Sequence, residues 1–67
     1  MITAKILEYD TTMTRLKVTL VTENGEYIKC WVLDQMVNKL FDEKYSNEYH
    51  EYDIAKSDGH NWINSVD

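Results

Sequence analysis

The chain predicts an α+β fold: a three-stranded antiparallel meander, one helix, then a C-terminal β-hairpin. Three observations carry that prediction. Apolar and polar residues alternate over residues 2–9. Asn24-Gly25 separates two β-branched runs. Apolar residues recur at helical spacing over residues 36–45, ahead of a second turn signal at Ser57-Asp58-Gly59. Sixty-seven residues correspond to a single small domain, 1–67. A chain of this size buries only about 60% of the surface its unfolded form exposes. A binding surface is therefore expected before an enclosed pocket, and self-association would add stability that a small core cannot supply.

In the first element, Ile2, Ala4 and Ile6 point one way, and Thr3, Lys5, Leu7 and Tyr9 the other, the period of a strand. Residues 10–14, DTTMT, form a polar connection suited to a hairpin turn.

The stretch RLKVTLVTENGEYIKCWVL reads as a hairpin around Asn24-Gly25. A two-residue loop would set Glu23 opposite Glu26 and mix Lys29 with Leu20 on one face. Like charges directly opposite are unfavourable. A three-residue loop with Gly25 in the left-handed conformation shifts the pairing by one. Leu16, Val18 and Leu20 then share a face with Ile28, Cys30 and Val32, which is wholly apolar, and this register is preferred. The other face carries Lys17 beside Trp31, Thr19 beside Lys29, and Val21 beside Tyr27. Trp31 and Tyr27 on that face need a second cover or a partner.

Asp34 is placed to cap a helix, on which Met36, Val37, Leu40, Phe41 and Tyr45 follow at helical spacing. Ser46-Asn47 marks its end. If the helix continued, Tyr45, Tyr49 and Tyr52 would fall on one face. If a strand begins near Glu48, then His50, Tyr52 and Ile54 share one face, and Tyr49, Glu51, Asp53 and Ala55 the other. The strand is preferred, because Asp58-Gly59 followed by HNWINSV completes a second hairpin.

This order of strands resembles the small five-stranded barrels of the oligonucleotide-binding type (OB-like barrels), which place a helix between the third and fourth strands. The resemblance is one of architecture. It implies nucleic-acid binding through a basic, aromatic face; here the aromatics are present but the basic residues are not.

Charge argues against that binding. Residues 1–33 carry four acids and four bases. Residues 34–67 carry eight acids, among them Asp34, Glu48, Glu51, Asp53 and Asp58, against three lysines, so the net charge of −5 lies wholly in the second half. Direct binding to a phosphate backbone needs the opposite sign. A basic protein partner is favoured instead; the plain alternative is that the acids serve solubility. The single cysteine, Cys30, excludes an internal disulfide and a cysteine-rich zinc site. MITAKILEYD does not read as a signal peptide, and no apolar run reaches the roughly 20 residues of a membrane span. The expected location is cytoplasmic (the host cytoplasm if the chain is phage-encoded).

Chemical motifs are sparse. His50 and His60 lie near Glu48, Glu51, Asp53 and Asp58, but their spacing matches no recognised metal-ligand pattern, and they read as surface histidines of a polar hairpin. Cys30 falls on the apolar face, where a thiol is inert packing. Paired carboxylates, Glu48 with Glu51 or Glu51 with Asp53, lack room for a cleft. No cofactor and no enzymatic activity are expected. What stands out is tyrosine interleaved with acid in EKYSNEYHEYDIAKSD. Tyrosine gives large contact area and a rim of acids steers toward Lys and Arg. Carboxylates alternating along a strand stand about 6.6 Å apart on one face, a spacing similar to a row of phosphates. The leading expectation is a small acidic protein-binding module that docks on a basic, nucleic-acid-binding surface of a partner protein. In size and charge it resembles phage-encoded inhibitors of host nucleic-acid enzymes, including anti-CRISPR proteins and DNA mimics. The expected partner-binding residues are Glu48, Tyr49, Glu51, Asp53, Asp58, Trp31 and Tyr27. The alternatives are an assembly subunit or homodimer, self-associating through Trp31, Tyr27 and Trp62, and a nucleic-acid-binding barrel.

Overall fold

A computed structural model of the protein describes residues 1–11 and 14–67. The turn expected over residues 10–14 falls on Thr12 and Met13, which lie outside the described residues. Among the described residues five strands form: β1 (Ile2–Thr11), β2 (Leu16–Thr22), β3 (Tyr27–Val32), β4 (His50–Ser57) and β5 (His60–Val66). They close into a barrel in the order β1-β2-β3-β5-β4. The meander β1–β3 and the hairpin β4–β5 are antiparallel. Two seams join them: an antiparallel one from Ile2↔Tyr52 to Ala4↔His50, and a parallel one through Trp31↔Trp62 and Val32↔Ile63. Inside sit Ala4, Ile6, Val18, Leu20, Cys30, Val32, Tyr52 and Ile63, with Met36, Leu40 and Tyr45 closing one side. Each large apolar side chain so buried contributes on the order of 1.5–3 kcal/mol.

The β2–β3 register is the expected one, Lys17↔Trp31 through Val21↔Tyr27. The loop holds three residues between Thr22 and Glu26. Gly25 N donates to Thr22 O at 3.0 Å, Thr22 N donates to Glu26 O at 2.9 Å, and Gly25 takes φ +88°. A side chain at Gly25 would meet open space, so the constraint there is the backbone angle alone.

β1 departs from simple alternation. Its register shifts between Ile6 and Glu8, leaving Leu7 as the extra residue of a bulge. Leu7 stands exposed, and the phase beyond it reverses. Tyr9, expected on the polar face, packs against the core, its hydroxyl donating to the Leu40 carbonyl and its ring 5.1 Å from Phe41.

The expected helix is broken into short turns: a 3-10 turn at Asp34–Met36, α1 (Val37–Leu40) and α2 (Glu43–Asn47). Asp34 does not cap. It lies within the first turn, and its exposed carboxylate is 3.7 Å from Arg15. The cap belongs to Asp42, which takes an extended backbone and accepts from Lys44 N at 3.2 Å. The break has a packing reason. In a continuous helix, Leu40 and Tyr45 would point about 140° apart; resetting the phase at Asp42 buries both, and Phe41 is left half exposed.

β4 begins at His50, two residues after the expected start, and Tyr52 is fully buried. Asp58 (φ +54°) and Gly59 (φ +77°) form the two-residue turn between Ser57 and His60, both left-handed as such a turn requires. A second bulge, at Asn64, follows where Asp53↔Ser65 gives way to Ile54↔Ile63.

Candidate binding faces

The acidic stretch resolves into an edge. Glu48 follows α2 and is exposed, its carboxylate 3.8 Å from His50 Nε2. Tyr49 is 44% exposed, with Lys5 Nζ 5.1 Å from its ring centroid. Glu51 projects from β4 opposite Thr3. Asp53, on the same side of the strand, is half-buried and accepts from Asn64 Nδ2 at 3.3 Å. The fold therefore brings Glu48, Tyr49, Glu51 and Asp53 together. It does not bring Asp58, which sits in the turn at the far end of β4. Nor does it bring Tyr27 and Trp31, which belong to β3.

His50 is not a surface histidine. Its ring is half-buried against Tyr45 at 4.6 Å, with Nδ1 3.0 Å from Asp67 O and Nε2 3.3 Å from Lys44 O. It ties α2 and the C-terminal residue to the start of β4, where Asp67 N also donates to Glu51 O. Among the described residues no three His, Cys, Asp or Glu side chains are grouped to hold a metal ion. Cys30 is sealed in the barrel, and burial pushes its thiol up to about 11, a protonated and unreactive state at neutral pH.

A second face was only half visible in the sequence. On the outside of β3 and β5, Trp31 and Trp62 are paired neighbours with ring centroids 5.4 Å apart and planes at 60°. His60 stacks on Trp31 at 4.2 Å. Lys17 Nζ lies 5.2 Å from the Trp31 ring, and the Arg15 guanidinium 4.8 Å from that of Trp62. Lys29 projects from the same face of β3 as Trp31, two residues away. Trp31 thus has its cover, made of cations and aromatic rings. At such sites each cation–π contact contributes about 0.5–1 kcal/mol. Acids lie beside this face too: Asp10 pairs across from Lys17, and Asp34 reaches Arg15.

No protein-family model matches the chain, and no curated protein or solved structure is detectably similar to it.

The two faces are therefore read on their own chemistry. Lys17 beside Trp31 follows from the hairpin register and was legible. Trp62 beside Trp31 follows from the parallel β3–β5 seam, which no local signal announces. Tyr27, at 70% exposure, stands at the end of β3 opposite Val21. Beside Trp62 lies a shallow groove of about 280 Å³, lined by Leu33, Ala55 and Asn64. A larger depression of about 470 Å³ lies at the barrel end between the start of β1 and the β2–β3 loop, open and edged by Glu23 and Glu26. Among the described residues no helix is long and apolar enough to cross a membrane.

Proposed function

We propose that the chain is a small, cytoplasmic, protein-binding module that docks through its acidic β4 edge on a basic surface of a partner. The nucleic-acid-binding groove of an enzyme is the kind of surface it fits, as in phage-encoded inhibitors and DNA mimics. One observation supports this most: Glu48 and Glu51 flank an exposed tyrosine, Tyr49, with Asp53 next along the strand. The tyrosine offers a rigid apolar anchor, and the carboxylates supply attraction to Lys and Arg that acts from a distance. In this reading the barrel is a scaffold, OB-like in its strand order and in the position of its helical segment, and it performs no catalysis.

The test is affinity capture from a bacterial lysate on wild-type protein and on Glu48→Lys/Glu51→Lys side by side. Both sites are exposed, so reversal alters stability by about 1 kcal/mol at most. Nucleic-acid enzymes retained by the wild type at low salt, eluted by high salt and absent from the variant column are the expected result. Tyr49→Ala should weaken retention through faster dissociation, with little salt dependence. Retention of the same proteins by wild type and variant would sink the reading.

A further inference from the structure

We infer that the barrel end carrying the β2–β3 loop docks an arginine-bearing segment of a protein partner, with the guanidinium seated between Glu51, Glu23 and Glu26 and the adjoining chain packed on Tyr27. Tyr27 is 70% exposed, and among the described residues its ring and hydroxyl meet no ring, cation or hydrogen-bond partner. The other aromatic of β3, Trp31, is covered by His60 and Lys17, and Tyr49 already has Lys5 over its ring. Nor does Tyr27 stand alone. The pairings Lys5↔Val21 and Val21↔Tyr27 set it in one cross-strand row with Val21, and Leu7, two residues on from Lys5, is 53% exposed. A bare aromatic ring beside further exposed apolar side chains is the form an interface anchor takes.

Charge decides what covers it. Glu51 pairs with Thr3 on one side, and the β1–β2 register, which sets Ala4 opposite Thr22, brings Glu23 to the other. Paired residues project from the same side of a sheet, so the two carboxylates flank Thr3, their Cα atoms roughly 10 Å apart across three strands. Thr3 and Ile2 line the depression of about 470 Å³ there, and Glu26 borders it next to Tyr27. The loop is pinned: Glu26 N donates to the Thr22 hydroxyl at 3.0 Å, and Thr22 N to the Glu26 carbonyl at 2.9 Å. Little ordering is left for a ligand to impose. Around the depression Glu23, Glu26 and Glu51 face Lys5 alone, and the next row, Glu8–Thr19–Lys29, is balanced. The site therefore selects a cation. Guanidinium fits it better than ammonium, because its planar fork bridges carboxylates on two sides while its face lies on a tyrosine ring. A phosphate backbone is repelled, and the cations a second copy would bring from Arg15 and Lys17 lie over its tryptophans. The inference rests on the reading of the β4 edge as a surface for a basic partner. It extends that surface around the barrel end through Glu51, which belongs to both.

The test is an NMR titration of the isotope-labelled protein at low salt with a capped peptide of alternating arginine and glycine, and with its lysine counterpart. The arginine peptide should shift the amides of Thr3 and of Glu23 to Tyr27, and the lysine peptide should bind about threefold more weakly, lacking the fork. Tyr27→Ala, checked for wild-type circular dichroism, should bind the arginine peptide about tenfold more weakly with its salt dependence unchanged, the loss expected of an anchor. Tyr27→Phe should keep most of the affinity. Glu23→Gln/Glu26→Gln should bind about fivefold more weakly and respond less to salt. Binding as tight as wild type by both Tyr27→Ala and Glu23→Gln/Glu26→Gln overturns the inference. Shifts confined to Glu48 to Asp53 overturn it too, and leave the β4 edge standing as the docking surface. Self-association in sedimentation that Tyr27→Ala abolishes would assign the face to a second copy instead. Conversely, the expected shifts alongside a lysate capture that retains no nucleic-acid enzyme would support the arginine site and sink the proposed class of partner.

Discussion

Tyr52 is the largest of the fully buried side chains, and its hydroxyl has no hydrogen-bond partner among the described residues. Burial raises its ionisation well above the ordinary phenol value, and Tyr9, Tyr45 and Cys30 nearby add to the effect. A buried polar atom left unsatisfied costs about 1–3 kcal/mol. Tyr52→Phe removes that atom and keeps the ring, so it should raise stability by about 1 kcal/mol in a urea melt; a loss would mean that the hydroxyl is satisfied in solution. Cys30 makes a pH-dependent counterpart. Its thiol is held at about 11 in the fold against an ordinary 9.0. The folded state therefore binds the proton more tightly than the unfolded one. The resulting stabilisation is complete below pH 9 and is lost as pH rises from 9 to about 11, a decline of about 2–3 kcal/mol at 1.4 kcal/mol per unit. Tyr9 and Tyr52, both raised by burial, deepen the decline above pH 10. Urea melts from pH 8 to 10 should show the fall, and Cys30→Ala should flatten its first part. That Cys30 and Tyr52 are interior was legible, because each sits in phase with apolar neighbours on a strand.

Among the elements, the β2–β3 hairpin was readable to the residue, because one register alone gives a wholly apolar face and avoids Glu23 against Glu26. The β1 bulge was not. ITAKILEY alternates only as far as Ile6; the adjacent Leu7 and the charge at Glu8 break the pattern on paper, but they do not show that a bulge turns Tyr9 inward to reach the Leu40 carbonyl. The helix break was hidden likewise. Met36, Val37, Leu40, Phe41 and Tyr45 together look like one stripe, yet only a phase reset at Asp42 buries both Leu40 and Tyr45. The cap that makes the reset is testable against the one that the sequence suggested. Asp42→Ala should cost about 1 kcal/mol through loss of the contact to Lys44 N. Asp34→Ala should cost a few tenths of that at most, since its carboxylate is 91% exposed and only loosely paired with Arg15. Equal losses in thermal melts would contradict the assignment of the cap to Asp42.

At the scale of the whole molecule, the barrel is two antiparallel units joined by short seams, and the second candidate face lies across one of them. Its two lysines and first tryptophan come from the meander, and its second tryptophan and histidine from the C-terminal hairpin. A sequence read element by element sums charge along the chain and sees an acidic protein. It does not see that the parallel seam sets Trp62 beside Trp31, with Arg15 and Lys17 gathered over them. The same construction predicts how the molecule opens. β2 and β3 are paired from Lys17↔Trp31 to Val21↔Tyr27, whereas among the described residues β3 meets β5 through Trp31↔Trp62 and Val32↔Ile63. Local opening follows the weakest cooperative boundary. Amides bonded across the β3–β5 seam should therefore exchange through an opening cheaper than that of the β2–β3 amides by about 1 kcal/mol or more. Native-state hydrogen exchange over a denaturant series would read the difference, and identical opening free energies would show that the barrel unfolds as one unit.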